Sequence, residues 1–161
     1  MGRTRQLTRA GFTLVEILIV VIILGVLAGL IIPQMAGASS EAARSAFVVE
    51  LKRYAEAAEV YRVREGVYVE DTSSGEYPAG WDDDYADRES YVDGTPIGGV
   101  WDFELDSFDV TSAFGVHFDG TGNTQDDEYM TLVDQYFDDG DLETGLFRKI
   151  ANDRFYYIIA N

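Results

Sequence analysis

The sequence predicts an α+β fold in which a long N-terminal helix packs on a small antiparallel β-sheet. Three observations support this. Residues 12–32 form an apolar run, residues 43–61 continue it with apolar positions three or four apart, and short alternating segments follow Gly66 between glycine-rich turns. We expect four parts: a basic leader (1–11), an apolar half-helix (12–33), an amphipathic half-helix (34–66) and a globular α+β domain (67–161).

The first element is a basic leader followed by a helix that is long enough to cross a bilayer. Residues 1–11 contain three arginines and no acid, and this charge bias predicts a cytoplasmic N-terminus. Residues 12–32 are apolar apart from one threonine, one glutamate and two glycines. As a helix they would cover roughly 30 Å, about one hydrocarbon core. We therefore expect a single membrane span.

Glu16 is the only ionisable residue in this run. Ionisable groups in spanning helices generally have a partner. A cut between Gly11 and Phe12 would create an α-amino group one helical turn from Glu16. The amine could pair with the carboxylate of its own helix, or with that of a staggered neighbouring copy. The second arrangement would fix the axial register of a bundle.

The motif G-F-T-L-V-E followed by an apolar helix resembles the prepilin signature of type IV pilins and type II secretion pseudopilins. The resemblance implies cleavage after Gly11 by prepilin peptidase, N-methylation of Phe12 and an assembly role for Glu16. It also implies a pilin-like fold, insertion in the bacterial inner membrane with a periplasmic or extracellular C-terminal domain, and contact with an inner-membrane assembly platform. The mature protein would then be a filament subunit of a pilus or a pseudopilus.

Within the helix, Gly25 and Gly29 lie one turn apart and would let helices approach closely. Pro33 lacks an N–H, so the helix should bend or loosen there. The family also has a glycine and a kinking proline at the places of Gly25 and Pro33.

An ordinary secretory signal is the alternative. Ala36-Gly37-Ala38 is an A-x-A pattern, and cleavage near Ala38 would release a secreted or tethered binding module. That module could use Trp81 and Tyr85 for a carbohydrate or a protein. The uncharged run over 17–32 exceeds the usual h-region of about 7 to 15 residues, and Glu16 has no purpose in a disposable signal. The prepilin interpretation is therefore favoured.

The amphipathic pattern predicts that the helix continues beyond the apolar run. Gly66 is a typical C-terminal cap and predicts where the helix ends. The apolar positions that should face the domain are Ala43, Phe47, Leu51, Tyr54, Ala58 and Tyr61.

The globular domain is predicted in order along the chain. We expect a short strand over 67–69, an ordered acidic and aromatic loop over 70–93 with a helical turn at 82–89, and a helix over 126–137. The other predicted strands cover 100–105, 108–114, 115–118, 146–150 and 154–160. The last two flank Asn152-Asp153 as a hairpin.

Charge and composition exclude several functions. The chain has 12 basic and 29 acidic residues, a net charge of −17, which falls to −20 without the three leader arginines. Such a surface repels phosphate backbones, so we expect no nucleic-acid partner. The chain has no cysteine and one histidine, His117, which we expect to face solvent or a neighbouring strand. No catalytic motif is present, and we expect no enzymatic activity.

The best metal candidate is the acidic turn Asp138-Asp139-Gly140-Asp141. Oxygen ligands around a glycine suit calcium, although the spacing does not match an EF-hand. The alternative is a solvated turn after a helix. We expect no obligatory cofactor, with Asp138, Asp139 and Asp141 as calcium candidates.

Overall fold

The computed structural model describes residues 12–82, 84–120 and 122–161, with the backbone alone over 30–37. In chain order the elements are α1 (Leu14–Glu65), α2 (Arg88–Val92), β1 (Val100–Ser107), β2 (Val110–His117), α3 (Asp127–Asp134), β3 (Phe147–Ala151) and β4 (Arg154–Ala160).

The chain divides into two compact units. The first ends at Ser39, and the second comprises Ser40–Asn161. In the second unit, the C-terminal half of α1 packs on an antiparallel sheet with the strand order β1-β2-β4-β3. The predicted α+β, pilin-like arrangement is therefore confirmed.

The amphipathic half of α1 forms as its sequence predicts. Four positions of the apolar stripe are at most 3% exposed: Phe47, Leu51, Tyr54 and Ala58. The two end positions, Ala43 and Tyr61, are half-buried and pack against this core. The helix ends at Glu65 because Gly66 adopts a φ of +76°, which favours glycine. The Gly66 N–H donates to the carbonyl of Arg62 at 2.9 Å.

Aromatic side chains join α1 to the sheet. Phe47 stacks on Trp101 with ring centroids 5.3 Å apart, and Tyr54 meets Phe114 edge-on at 5.5 Å. Such pairs contribute about 0.5 to 1.5 kcal/mol each beyond their buried area. The core therefore lies between the helix and one face of the sheet.

The predicted hairpin at Asn152-Asp153 is confirmed, since β3 and β4 pair directly across it. Other predictions were wrong. No strand is assigned over 67–69, although Val69 is buried; the strands predicted over 108–114 and 115–118 form one strand, β2; and α3 ends at Asp134 rather than at residue 137. A turn does form within 82–89, where the N–H groups of Tyr85 and Ala86 donate to the carbonyl of Asp82, but the helix α2 begins at Arg88.

Each outer strand of the sheet shares a backbone hydrogen bond with a neighbouring loop. The N–H of Gly75 donates to the carbonyl of Trp101 on β1 at 2.9 Å. At the other edge, the N–H of Lys149 on β3 donates to the carbonyl of Leu142 at 2.8 Å. These bonds satisfy backbone groups that an edge strand would otherwise present to other chains.

Candidate functional site

The start of α1 is held by a reciprocal pair of hydrogen bonds between Thr13 and Glu16. The Thr13 N–H donates to Glu16 Oε2 at 2.7 Å, and the Glu16 N–H donates to Thr13 Oγ1 at 3.2 Å. The Thr13 hydroxyl also donates to Glu16 Oε2 at 2.8 Å. This is a capping box, which satisfies two N–H groups that the first turn of a helix leaves unpaired.

The capping box places the Glu16 carboxylate beside the expected cleavage point. The carboxylate accepts a hydrogen bond from the nitrogen of the Phe12–Thr13 peptide. This nitrogen belongs to the residue after Phe12, the predicted new N-terminus. All the bonds from Thr13 end on Oε2, and Oε1 receives no hydrogen bond from the described residues. One oxygen is therefore left for a further donor.

Sequence reasoning identified Glu16 but missed Thr13. The pattern T-x-x-E before an apolar run is itself a capping signal, so the sequence contained the information. The cleavage residue Gly11 lies outside the described residues.

The side chains at the start of α1 form an apolar surface. Every large apolar side chain over 12–27 is at least 47% exposed, and Phe12 is 83% exposed. Contiguous apolar surface of this kind marks a contact with lipid or protein. Added Cβ atoms at Gly25 and Gly29 would meet nothing within 4 Å, so this face is open to a close neighbour.

Within the part of the chain that the structure describes, no helix has the length and apolar character needed to cross a membrane. The span predicted over 12–33 runs into residues 30–37, whose side chains lie outside that description. The span and the bend at Pro33 stay predictions.

A second cluster of functional interest follows α3. Asp134, Asp138 and Asp139 each place a carboxylate oxygen within 4.8 Å of the others. Asp134 is fully buried, and neither of its oxygens receives a hydrogen bond of normal geometry from the described residues. A buried carboxylate without a donor is costly, so this group needs a proton or a cation.

The other acids of this turn are partly engaged by the loop itself. The Leu146 N–H donates to Asp138 Oδ2, and Asp139 accepts from the Asp141 N–H and the Thr144 hydroxyl, both at 3.0 Å. Asp141 lies outside the three-carboxylate group and accepts from the Glu143 N–H at 3.0 Å. The structure thus brings Asp138 and Asp139 together with Asp134, which sequence reasoning did not single out.

Burial raises the pKa of Asp134 to about 7, and the neighbouring carboxylates of Asp138 and Asp139 add to the rise. Partial burial acts against ionisation of Asp138 too, yet hydrogen bonds from Asp134 and from the Leu146 N–H lower the pKa of Asp138. At neutral pH the pair therefore holds a proton that a divalent cation could replace.

The loop over 70–93 wholly or partly buries the two aromatic side chains that were predicted to bind a ligand. Trp81 is 0% exposed and lies in the core, with its ring 5.1 Å from Phe103 and 5.6 Å from Tyr77. Tyr85 is half-buried, and its hydroxyl donates to Glu65 at 2.9 Å. The prediction that Trp81 could bind a ligand at the surface is wrong, because the indole contributes to the core instead.

Comparison with known proteins agrees with the N-terminal features. The family described as the prokaryotic N-terminal methylation motif matches residues 7–32. Type II secretion system core protein G of Pseudomonas aeruginosa is 37% identical over 68 residues, which is 42% of this chain and 46% of that protein. The protein of the same name from Vibrio cholerae is 34% identical over 68 residues, 42% of this chain and 45% of that protein.

A third relative, type II secretion system core protein G of Klebsiella michiganensis, is 33% identical over 64 residues, 40% of this chain and 45% of that protein. The chain thus spans slightly less than half the length of these curated relatives. No solved structure matches significantly. The methylation motif and these relatives, which match about two fifths of this chain, support its resemblance to the type IV pilin and pseudopilin family.

Proposed function

We propose that this chain is a structural, non-enzymatic subunit of a pilin-like filament. It enters the bacterial inner membrane as a precursor, is cleaved after Gly11 by prepilin peptidase and is N-methylated at Phe12. An inner-membrane assembly platform then adds it to a filament of other pilin or pseudopilin subunits. The relatives' name favours a type II secretion pseudopilus over a type IV pilus.

The observation that carries the proposal is the Glu16 carboxylate, fixed beside the Phe12–Thr13 peptide at the start of an exposed apolar helix. Cleavage would free the α-amino group of Phe12, a cation. Phe12 precedes Thr13, whose N–H donates to the Glu16 carboxylate. In a staggered bundle, Oε1 of Glu16 in one subunit accepts from the Phe12 amine of the next. The exposed apolar side chains then pack between subunits or in lipid, where an unpaired carboxylate would be costly.

Mass spectrometry of the mature protein from its native host tests this proposal. We expect an N-terminus at methyl-Phe12, and we expect Gly11→Val to leave the leader attached because a branched side chain blocks the cut. Gly2→Val, a glycine change elsewhere in the leader, should be processed normally. A natural N-terminus at Ser39, or a wild-type protein that keeps its arginines, would contradict the proposal.

The acidic turn supports a second proposal, that calcium binds between Asp134, Asp138 and Asp139. Hard oxygen ligands suit calcium, and neither oxygen of the buried Asp134 carboxylate receives a hydrogen bond of normal geometry from the described residues. A bound cation would tie the end of α3 to the loop before β3. This role resembles that of a disulfide, and the chain has no cysteine.

Calcium should raise the melting temperature of the full-length protein in detergent micelles, and Asp139→Ala should abolish the rise.

The calcium response should depend on pH. Without calcium, folded Asp134 keeps its proton to a higher pH than unfolded aspartate, whose pKa is about 3.9. The folded state therefore binds more protons, and this contribution to stability declines as the pH rises through about 7. Calcium must displace that proton, so its stabilising effect should be larger at pH 8 than at pH 6.

Asp106→Asn, which removes a carboxylate from the distant β1–β2 hairpin, is the matched control and should keep the calcium response. Equal melting temperatures with calcium and with chelator would refute the site.

A further inference from the structure

A buried polar network lies on the face of the sheet that is turned away from α1. Side chains alternate along β1, so Asp102 and Glu104 face away from the core while Trp101 and Phe103 face it. Asp102 is 3% exposed and Glu104 is 5% exposed. Two carboxylates buried at this depth require donors and counter-charge.

Three donors converge on one oxygen of Asp102. Its Oδ2 accepts from the Ser74 hydroxyl at 2.9 Å, from Arg154 Nη1 at 2.7 Å and from the Tyr156 hydroxyl at 2.6 Å. Arg154 Nη1 also pairs with Glu104 Oε1. A single guanidinium is therefore shared between two buried carboxylates, so this pair of acids lacks one positive charge.

His117, at the end of β2, completes the network. Its Nδ1 lies 2.7 Å from Ser74 Oγ, and its Nε2 lies 3.1 Å from Asp153 Oδ2 in the β3–β4 turn. Nδ1 is also 3.9 Å from Asp102 Oδ2, and the side chain is 15% exposed. Of the two expected environments, solvent or a neighbouring strand, the structure shows the second, and the contact with Ser74 could not be predicted because Ser74 is 43 residues away.

Counting protons shows which form of the imidazole fits. Ionised Asp102 and Asp153 accept only, and Ser74 has one hydroxyl proton. If Ser74 donates to Asp102, its oxygen must accept from Nδ1–H, while Asp153 requires Nε2–H. Both ring nitrogens are then donors, which is the imidazolium. In the neutral ring one of these bonds is lost. The same count argues against a nucleophilic role for Ser74, because its proton goes to Asp102.

The charges around the ring favour the same form. Asp102 on β1 and Asp153 in the turn lie against the ring. The other titratable groups of the network interact with Asp102: Glu104 on β1, Arg154 and Tyr156 on β4, and Asp71 in the loop after α1. Strand β2 contributes no other titratable side chain. Burial raises the pKa of Glu104 and of Asp71. An imidazolium supplies the cation that the two buried carboxylates lack.

We propose that His117 is a proton-operated clamp that fastens the 72–76 segment and the Asn152-Asp153 turn to the sheet. In the charged form, His117 links Ser74 and Asp153 while Ser74 remains bonded to Asp102. Loss of the proton breaks the connection at Ser74. Ser74 then has one hydroxyl proton and keeps one side-chain bond, to Asp102, beside the backbone bond from the Gly75 N–H to the Trp101 carbonyl. Histidine is the side chain that ordinarily changes charge between about pH 5 and pH 8.

The test uses full-length protein in detergent micelles, purified through a tag without histidine. Because His117 is the only histidine, [¹⁵N]histidine labelling gives one pair of ring signals, which reports the protonation of both nitrogens at each pH. Amide hydrogen exchange of Gly75 is measured at the same pH values in the wild type and in Ser74→Ala. The ratio of the two rates cancels the intrinsic pH dependence of exchange.

We expect the wild-type Gly75 amide to exchange roughly tenfold more slowly than the Ser74→Ala amide when the ring is charged, the effect of one hydrogen bond to a charged group. As the ring loses its proton, the advantage should fall with the midpoint of the ring titration to the smaller value that the Ser74–Asp102 bond alone provides. His117→Gln should show that smaller, pH-independent advantage at every pH, and Glu56→Gln, a change on the exposed face of α1, should behave like wild type.

A Gly75 exchange ratio that stays constant while the ring titrates would overturn the proposal. So would a ring whose Nδ1 is unprotonated at every pH at which the segment is protected. Neither outcome requires the His117→Gln protein to fold.

Discussion

Glu16→Gln should leave cleavage after Gly11 largely intact but reduce incorporation into filaments at least tenfold. Glutamine is also favoured at this position of a capping box, and its carbonyl oxygen can still accept from the Thr13 N–H. The variant therefore keeps the start of α1 and removes only the negative charge. A Phe12 amine packed against it would lack a counter-ion, and a buried charge without its partner costs about 2 to 5 kcal/mol.

The measurement is the fraction of mature protein recovered in sheared filaments, relative to the total by immunoblot. Thr13→Val is the complementary variant, because it removes the cap and keeps the charge. Loss of an N-cap costs about 1 kcal/mol of helix stability, so this variant should still assemble. If Glu16→Gln enters filaments at the wild-type level, or if the two variants show equal assembly defects, the charge of Glu16 does not set the register.

Trp81→Ala should destabilise the globular domain by about 3 to 5 kcal/mol, the cost of deleting a large buried aromatic side chain. That is a substantial part of the roughly 5 to 15 kcal/mol that stabilises a typical domain. The indole lies at the centre of the core, beside Tyr54, Tyr77, Tyr91, Phe103 and Phe114. Its removal leaves a cavity that several rigid rings cannot fill.

Chemical denaturation of the full-length protein in micelles measures the loss. Trp81→Phe should cost less, since it keeps an aromatic ring and deletes an indole N–H that is buried without an acceptor among the described residues. Tyr136→Ala changes an aromatic residue that is 47% exposed and should stay within about 0.5 kcal/mol of wild type. An unchanged denaturation midpoint for Trp81→Ala would contradict the burial of the indole. It would indicate an exposed side chain, as the binding-module alternative requires.

Periodic features of the fold could be predicted from the sequence. The apolar stripe of α1, its end at Gly66 and the last hairpin depend on local patterns, and each lies where predicted. The core position of Trp81 could not be predicted in this way. It lies in a segment without periodicity, and its burial depends on residues up to 33 positions away along the chain, such as Phe114.

The candidate sites divide in the same way. Glu16 stands out because a charge in an apolar run is conspicuous, and the cap from Thr13 is a pattern within four residues. Asp134 is ordinary in sequence, a polar residue at the end of a short helix. Only the turn after α3 brings it beside Asp138 and seals it from water.

The loop bonds at β1 and β3 have a consequence for the filament proposed above, in which copies of the domain would lie close together. An uncovered outer strand recruits the matching strand of a neighbour, and repeated recruitment leads to amyloid-like aggregates that do not dissociate. Here Gly75 and Leu142 already form backbone hydrogen bonds with the two outer strands, β1 and β3. Lateral strand pairing between domains is thereby disfavoured, so in the proposed filament contact between subunits would depend on the helices.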